Sequence, residues 1–235
     1  MDLQNKVAIV TGGARGIGKA TAKLFLEKGC NAVINSRTQR EVDSAVKELN
    51  SLGRIIGIKA DVSSPKDVKK LVDKAIKEFG RVDILVNNAG VMHKGPTMEM
   101  KEEDWDDTVD TNLKGIFLCS KEVLRHMVKQ KSGIIVNISS GLGHHAISNH
   151  AAYCATKFGV LALTSSLAGE VGKYGIKVFS VCPGAVTTRM QEEFIGKTQY
   201  KFAKRLMIRP EKIASKIVEV CSGDEKSGRC FDVFF

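Results

Sequence analysis

The chain has 235 residues, 43% of them apolar and 26% charged, a length and balance that suit one globular α/β domain and exclude a disordered chain. No apolar run is long enough to span a bilayer, and residues 1–4 lack the basic-then-apolar order of a secretion signal, so a cytoplasmic protein is expected. The net charge of +10 fits a surface that favours anionic ligands, because the lysines between Lys66 and Lys77 are interleaved with aspartates and no aromatic-plus-basic cluster of a nucleic-acid binder accompanies them.

Residues 6–10 read as a strand and 16–28 as a helix. Residues 31–35 read as a strand, 40–49 as a helix and 55–59 as a strand. Residues 65–79 are helical, with Pro65 at the start, where a missing N–H is tolerated. A strand over 82–86 precedes one or two helices within 103–129. A strand over 133–138, a helix over 153–172 and a strand over 176–181 follow. Residues 184–208 show no clear period, 210–221 are helical and 229–235 read as a last strand. The strands are continuously apolar rather than alternating, as expected when helices cover both faces. Strand–helix alternation with right-handed crossovers then predicts an α/β fold: a single-domain, Rossmann-like, doubly wound parallel sheet of about seven strands over residues 1–235.

Thr11-Gly12-Gly13-Ala14-Arg15-Gly16-Ile17-Gly18 joins the first strand to the first helix. Glycines there let the backbone turn tightly and approach a pyrophosphate, and the helix N-terminus adds free N–H groups. No Gly-Lys-Ser/Thr follows, which argues against a nucleoside-triphosphate P-loop. The six cysteines, Cys30, Cys119, Cys154, Cys182, Cys221 and Cys230, show no CxxC pair and no zinc spacing, so buried thiols and no metal are expected.

TGGARGIG, Asp61-Val62, Asn87-Asn88-Ala89-Gly90, Asn112, Ser140, Tyr153-xxx-Lys157 and Pro183-Gly184 occur together and in this order. On these motifs the chain, from residue 6 to about 190, resembles the short-chain dehydrogenase/reductase family in its shorter TGxxxGxG subgroup. The overall likeness is to 3-oxoacyl-acyl-carrier-protein reductases and related carbonyl reductases. The resemblance implies hydride transfer between a nicotinamide and a ketone or secondary alcohol.

Tyr153 and Lys157 are four apart at a helix start and share a face. A nearby ammonium is expected to lower the phenol from its usual pKa of about 10, so that Tyr153 gives or takes a proton near working pH. The resemblance also gives Lys157 the nicotinamide ribose hydroxyls. Ser139 and Ser140 both end a buried strand, where a hydroxyl can hold and polarise a carbonyl oxygen; the family spacing to the tyrosine selects Ser140. Asn112 is a poor helix former inside a helical pattern. The resemblance implies that it distorts the helix and holds a water relaying protons through Lys157.

The second strand ends Ile34-Asn35-Ser36-Arg37. An NAD enzyme usually carries an acid near this place for the adenosine ribose. Here Ser36 stands there, and Arg37 with Arg15 can neutralise a 2′-phosphate, so NADP(H) is expected in preference to NAD(H). By resemblance, Thr11, Gly12, Gly16, Ile17 and Gly18 form the phosphate turn, Asp61 and Val62 meet the adenine, and Asn88, Ala89 and Gly90 flank the ribose. Pro183, Gly184, Val186 and Thr188 lie by the nicotinamide, with Thr188 on its carboxamide.

Residues 184–208 resemble the family's substrate lid. Met92, His93, Leu142, His144, His145, His150, Met190 and Phe194 are candidate pocket lining; His145 and His150 lack a third metal ligand at convincing spacing. The substrate class implied is a small carbonyl or alcohol, including acyl-carrier-protein or CoA thioesters. Arg125, Lys129 and Lys173 are candidates to steer an acidic carrier. No nucleic acid or membrane is expected as a partner. The resemblance implies a homodimer or homotetramer; the ending from Gly228 to Phe235 departs from the family's longer glycine-rich tail, which leaves the helical segments 112–129 and 153–172 as the safer dimer surface. The alternative is a non-catalytic NADP-binding sensor on the same fold. Such proteins typically lose the tyrosine or lysine that this chain keeps.

Overall fold

Successive residues of a strand point to opposite faces of its sheet, so a continuously apolar strand needs cover on both. The computed structural model describes residues 1–234 and supplies that cover. Its strands are β1 (Val7–Val10), β2 (Asn31–Ser36), β3 (Ile55–Lys59), β4 (Ile84–Asn87), β5 (Gly133–Ile138), β6 (Ile176–Pro183) and β7 (Cys230–Val233). They form one sheet in the order β3-β2-β1-β4-β5-β6-β7, every pair parallel. Ala8 of β1 pairs with Ala32 on one side and Ile84 on the other. The chain therefore winds outward from β1 to β3, returns across β1 and winds outward again to β7. That reversal opens a crevice beyond the carboxyl ends of β1 and β4, where ligands bind in this architecture.

The helices are α1 (Gly16–Glu27), α2 (Gln39–Leu49), α3 (Pro65–Phe79), α4 (Glu102–Val109), α5 (Gly115–Gln130), α6 (Ala151–Val171), α7 (Arg189–Ile195), α8 (Lys197–Ala203) and α9 (Pro210–Ser222). Ala8, Val10, Ile34 and Val86 pack with Phe25 of α1, Ala45 of α2 and Ile213 of α9. Val7, Ile9, Val33 and Leu85 pack on the other face with Leu71 of α3, Val123 of α5 and Leu167 of α6. Most element ends fall within one or two residues of the sequence reading. The region read as one or two helices is α4 and α5 joined by a π-helical turn, Asp110–Lys114. The segment without a period holds α7 and α8, separated at Gly196 with φ of +83°. The last strand is shorter than expected, and Phe235 lies outside the described residues. Among the described residues, no helix is long and apolar enough to cross a membrane.

Candidate active site

The turn after β1 takes a path that only glycine adopts readily. Gly12 and Gly16 have φ of +61° and +55°, where a Cβ is disfavoured. Asn88, just after β4, ties the turn down: its Nδ2 donates to Thr11 O at 2.8 Å and Gly12 O at 3.2 Å. Thr11 Oγ1 in return accepts from the N–H groups of Asn88 and Ala89 at 2.9 and 3.0 Å. A Cβ on Gly18 would stand 2.5 Å from both Asn88 Nδ2 and Gly12 O. Thr11 and Gly18 thus shape the turn from behind, while Gly12, Arg15, Gly16 and Ile17 line a cleft. The first turn of α1 carries no acidic residue, which leaves its positive end suited to an anion.

The cleft has a volume of about 480 Å³. It collects Ser36, Arg37, Asp61, Val62, Asn88, Ala89, Gly90, Ser140, Tyr153, Lys157, Pro183, Gly184, Val186 and Thr188, all expected at the site from sequence. The lid faces the glycine turn, since a Cβ on Gly16 would lie 3.4 Å from Thr188 Cγ2. Thr188 also caps α7, its Oγ1 accepting from Gln191 N.

On the cleft floor, Tyr153 and Lys157 sit in the first two turns of α6 and are both buried. Lys157 Nζ donates to Ile138 O at 2.9 Å and lies 5.4 Å from the centre of the Tyr153 ring. The two serines after β5 separate by geometry. Ser139 is buried and its hydroxyl donates to Lys157 O. Ser140 caps the following turn by accepting from Leu142 N, and its hydroxyl acts on that of Tyr153. Asn112 is fully buried in the π turn and does not line the cleft. Its Oδ1 accepts from Val91 N and its Nδ2 donates to Val91 O, both at 2.8 Å, so it clamps a residue of the cleft wall.

The family model for short chain dehydrogenases matches residues 6–199. The chain belongs to that family. It is 37% identical over 232 residues to the 3-oxoacyl-[acyl-carrier-protein] reductase FabG of Thermotoga maritima, covering 97% of this chain and 94% of that protein. It is 40% identical over 231 residues to the (2S)-[(R)-hydroxy(phenyl)methyl]succinyl-CoA dehydrogenase subunit BbsD of Thauera aromatica, covering 95% and 92%. A crystal structure of levodione reductase superposes with a TM-score of 0.91 at 29% identity, covering 98% of this chain and 96% of that one. This short-chain dehydrogenase is therefore an oxidoreductase acting on CH–OH or C=O groups, in a family that binds a nicotinamide cofactor. Its cleft fits such a group. The start of α1, with no acidic residue in its first turn, opens onto the cleft at Arg15, Gly16 and Ile17 and can receive the cofactor's phosphates.

Two expectations need correction. Tyr153 is not drawn down by its lysine: burial pushes the phenol up to about 12, against a smaller downward pull from Ser140. Burial also lowers Lys157 to about 8. Desolvation disfavours the charged form of each. His93, His144 and His150 do not line the main cleft. His93 bonds Asp104 and Asp107, His144 bonds Asp232, and His150 is buried with its ring edge-on to Phe194 at 4.8 Å. Arg15 and Arg37 both line the cleft, each beside an acid: Arg37 lies 3.3 Å from Asp107, and Arg15 3.9 Å from Glu41, which also accepts from Ser36 Oγ. Finally, the sequence reading missed Val91, Arg189 and Phe234, which line the cleft. Phe234 closes it from the chain end, packing where a Cβ on Gly141 or Gly184 would fall, at 3.0 and 3.1 Å.

Proposed function

We propose that the protein is an NADP(H)-dependent reductase that converts a ketone, of the 3-oxoacyl thioester class, to a secondary alcohol, or runs the reverse, with Tyr153 as acid and base. The convergence of Ser140, Tyr153 and Lys157 on one cleft floor, beside the glycine turn, carries this reading. When bound, the nicotinamide supplies or takes up a hydride at the substrate carbon. Ser140 holds the substrate oxygen and polarises it. Tyr153 donates its hydroxyl proton to that oxygen in reduction and accepts it in oxidation. Lys157 fixes the ribose hydroxyls and keeps positive charge beside the phenol. Asn112 holds the wall at Val91 and, by resemblance, the water of a proton relay behind Lys157.

Arg15, Ser36 and Arg37 take the 2′-phosphate, which substitutes for the weak surface pairings with Glu41 and Asp107. Asp61 and Val62 flank the adenine, Asn88 to Gly90 the ribose, and Thr188 the carboxamide. The thioester class rests on the relatives, one named for an acyl-carrier-protein substrate and one for a CoA substrate. A homodimer through α5 and α6 accounts for the half-exposed Phe117 and Phe158 on those helices.

The test is loss of reduced nicotinamide with NADPH and acetoacetyl-CoA, against a Tyr153→Phe control. Turnover that vanishes in the variant supports the reading. Tight NADPH binding without turnover on any ketone thioester would replace it with a sensor on the same fold.

A further inference from the structure

Four side chains that the proposed reduction does not use meet at the edge of β6 and β7. Cys182 stands opposite Asp232 in the register of that pair, and Ser180 opposite Cys230. Cys182, Cys230 and Asp232 therefore leave the sheet on one face. His144 joins them from the end of the short turn that Ser140 caps. Cys182 Sγ lies 2.7 Å from Cys230 Sγ, Cys230 Sγ lies 3.7 Å from His144 Nε2, and His144 Nε2 lies 2.9 Å from Asp232 Oδ1. All four donor atoms fall within 4.8 Å of one another. Cys182 is buried and Cys230 partly so, whereas His144 and Asp232 are exposed. The group thus has an anchored side in the sheet and an open side toward solvent.

We propose that His144, Cys182, Cys230 and Asp232 bind one divalent cation of the zinc class, in tetrahedral coordination. The donor set decides the ion. Two thiolates and an imidazole select a borderline-soft cation over the oxygen-seeking magnesium or calcium. One of the three measured separations is already the one required, and the other two must open. With Zn–S of about 2.3 Å and Zn–N of about 2.0–2.1 Å, a tetrahedron separates sulfur from nitrogen by about 3.6 Å, and Cys230 and His144 already stand 3.7 Å apart. The sulfur pair must open to about 3.8 Å, within the reach of a χ1 adjustment at Cys230, which is not fully packed. The incoming ion displaces the thiol protons to solvent and binds the imidazole in its neutral form.

Among the described residues this is the one group of histidine, cysteine and carboxylate donors close enough to share an ion. The site is a clamp in the fold. It ties β7 to the turn that carries Ser140. Phe234, two residues beyond Asp232, then stays packed over Gly141 and Gly184 at the cleft wall.

The experiment is a cobalt(II) titration of the full-length protein, reduced and stripped with a chelator that is then removed. Binding is read from the visible bands of tetrahedral cobalt and from sulfur-to-cobalt charge transfer. The expected result is saturation at one cobalt per chain, with displacement by one zinc. Cys182→Ser and Cys230→Ser each cut the charge-transfer intensity by about half, the double variant abolishes it, and each single variant weakens zinc by more than about 100-fold, beyond the cost of losing an outer-sphere partner. Asp232→Asn, at an exposed position, keeps the fold and still weakens zinc at least tenfold. Cys221→Ser binds as the parent does. Bands that are absent, or that keep their full intensity in both cysteine variants, overturn the proposal. So does a Cys182–Cys230 disulfide whose reduction restores no cobalt binding.

Discussion

Replacing Asn112 tests whether the cleft wall depends on one buried amide. Its side chain makes two 2.8 Å hydrogen bonds to the backbone of Val91 and a longer one to Thr156 Oγ1. In Asn112→Ala both Val91 groups lose their partner. At roughly 1–1.5 kcal/mol for each bond, with a further penalty for groups left unpaired, the loss is about 3 kcal/mol. For a domain of this size that lowers Tm by about 6–12 °C. Asn112→Asp is the sharper probe. The carboxyl can still accept from Val91 N, but its other oxygen faces Val91 O and can bond it only while protonated. Burial raises its folded pKa above the unfolded value of about 3.9. The stability this carboxyl contributes is therefore full below the unfolded pKa and disappears as pH rises through the folded pKa. Melts of parent, Asn112→Ala and Asn112→Asp at pH 5 and pH 8 read this directly. Asn112→Asp should be less destabilised at pH 5 than at pH 8, where it falls to the alanine variant or below. If it matches the parent at both pH values, or if alanine costs less than about 1 kcal/mol, the Val91 clamp is not what this residue provides.

Three further outcomes follow from the same geometry. Lys157→Met should abolish turnover yet raise Tm by about 4–8 °C at pH 7. The drop of the lysine from 10.5 to about 8 represents about 3 kcal/mol against the charged form, and losing the bond to Ile138 O returns about 1 kcal/mol. The gain is largest below pH 8 and fades as pH approaches 10.5, where the unfolded lysine also sheds its proton. In the parent, kcat/KM for reduction should fall as pH rises past about 8, the value to which burial lowers Lys157, while oxidation gains with pH as the phenol proton becomes easier to remove; a flat profile from pH 6 to 10 would contradict this assignment. Arg37→Ala should reduce the NADPH-to-NADH ratio of kcat/KM by about 10–100-fold, the worth of one charge-assisted bond of about 1.5–3 kcal/mol, and equal effects on both cofactors would remove Arg37 from the phosphate site.

How far the fold could be read depended on whether the signal was local. The start of α3 was legible because Pro65 acts locally; the structure adds Ser64, which accepts from Asp67 N, and Gly80, which ends the helix at φ +76°. The strands were legible because both faces are buried by helices that alternate with them. The lid was not. In α7 and α8 no residue is buried, and Phe202 and Leu206 stay 77% and 78% exposed, so no apolar stripe imposes a 3.6-residue period. Phe234 and the cysteine–histidine–aspartate cluster were unreadable for a different reason. Their partners are distant in sequence, and only the parallel pairing of β6 with β7 brings them together.

The catalytic pair marks the boundary of what spacing conveys. Four residues apart on a helix, Tyr153 and Lys157 had to share a face, and the structure places both on the cleft floor. Spacing carries no information about dielectric. Coulomb attraction alone would have pulled the phenol down and held the ammonium up. In the folded chain the same burial that brings them together penalises each charge, so the phenol rises to about 12 and the ammonium falls to about 8. Both groups therefore hold their protons at neutral pH. Under the proposed chemistry that state is ready for reduction, because the proton for the alkoxide oxygen is already on Tyr153. Oxidation must first remove a proton from a buried phenol. The resting protonation of the site thus favours ketone reduction, a bias set by packing around α6 rather than by the identity of the two residues.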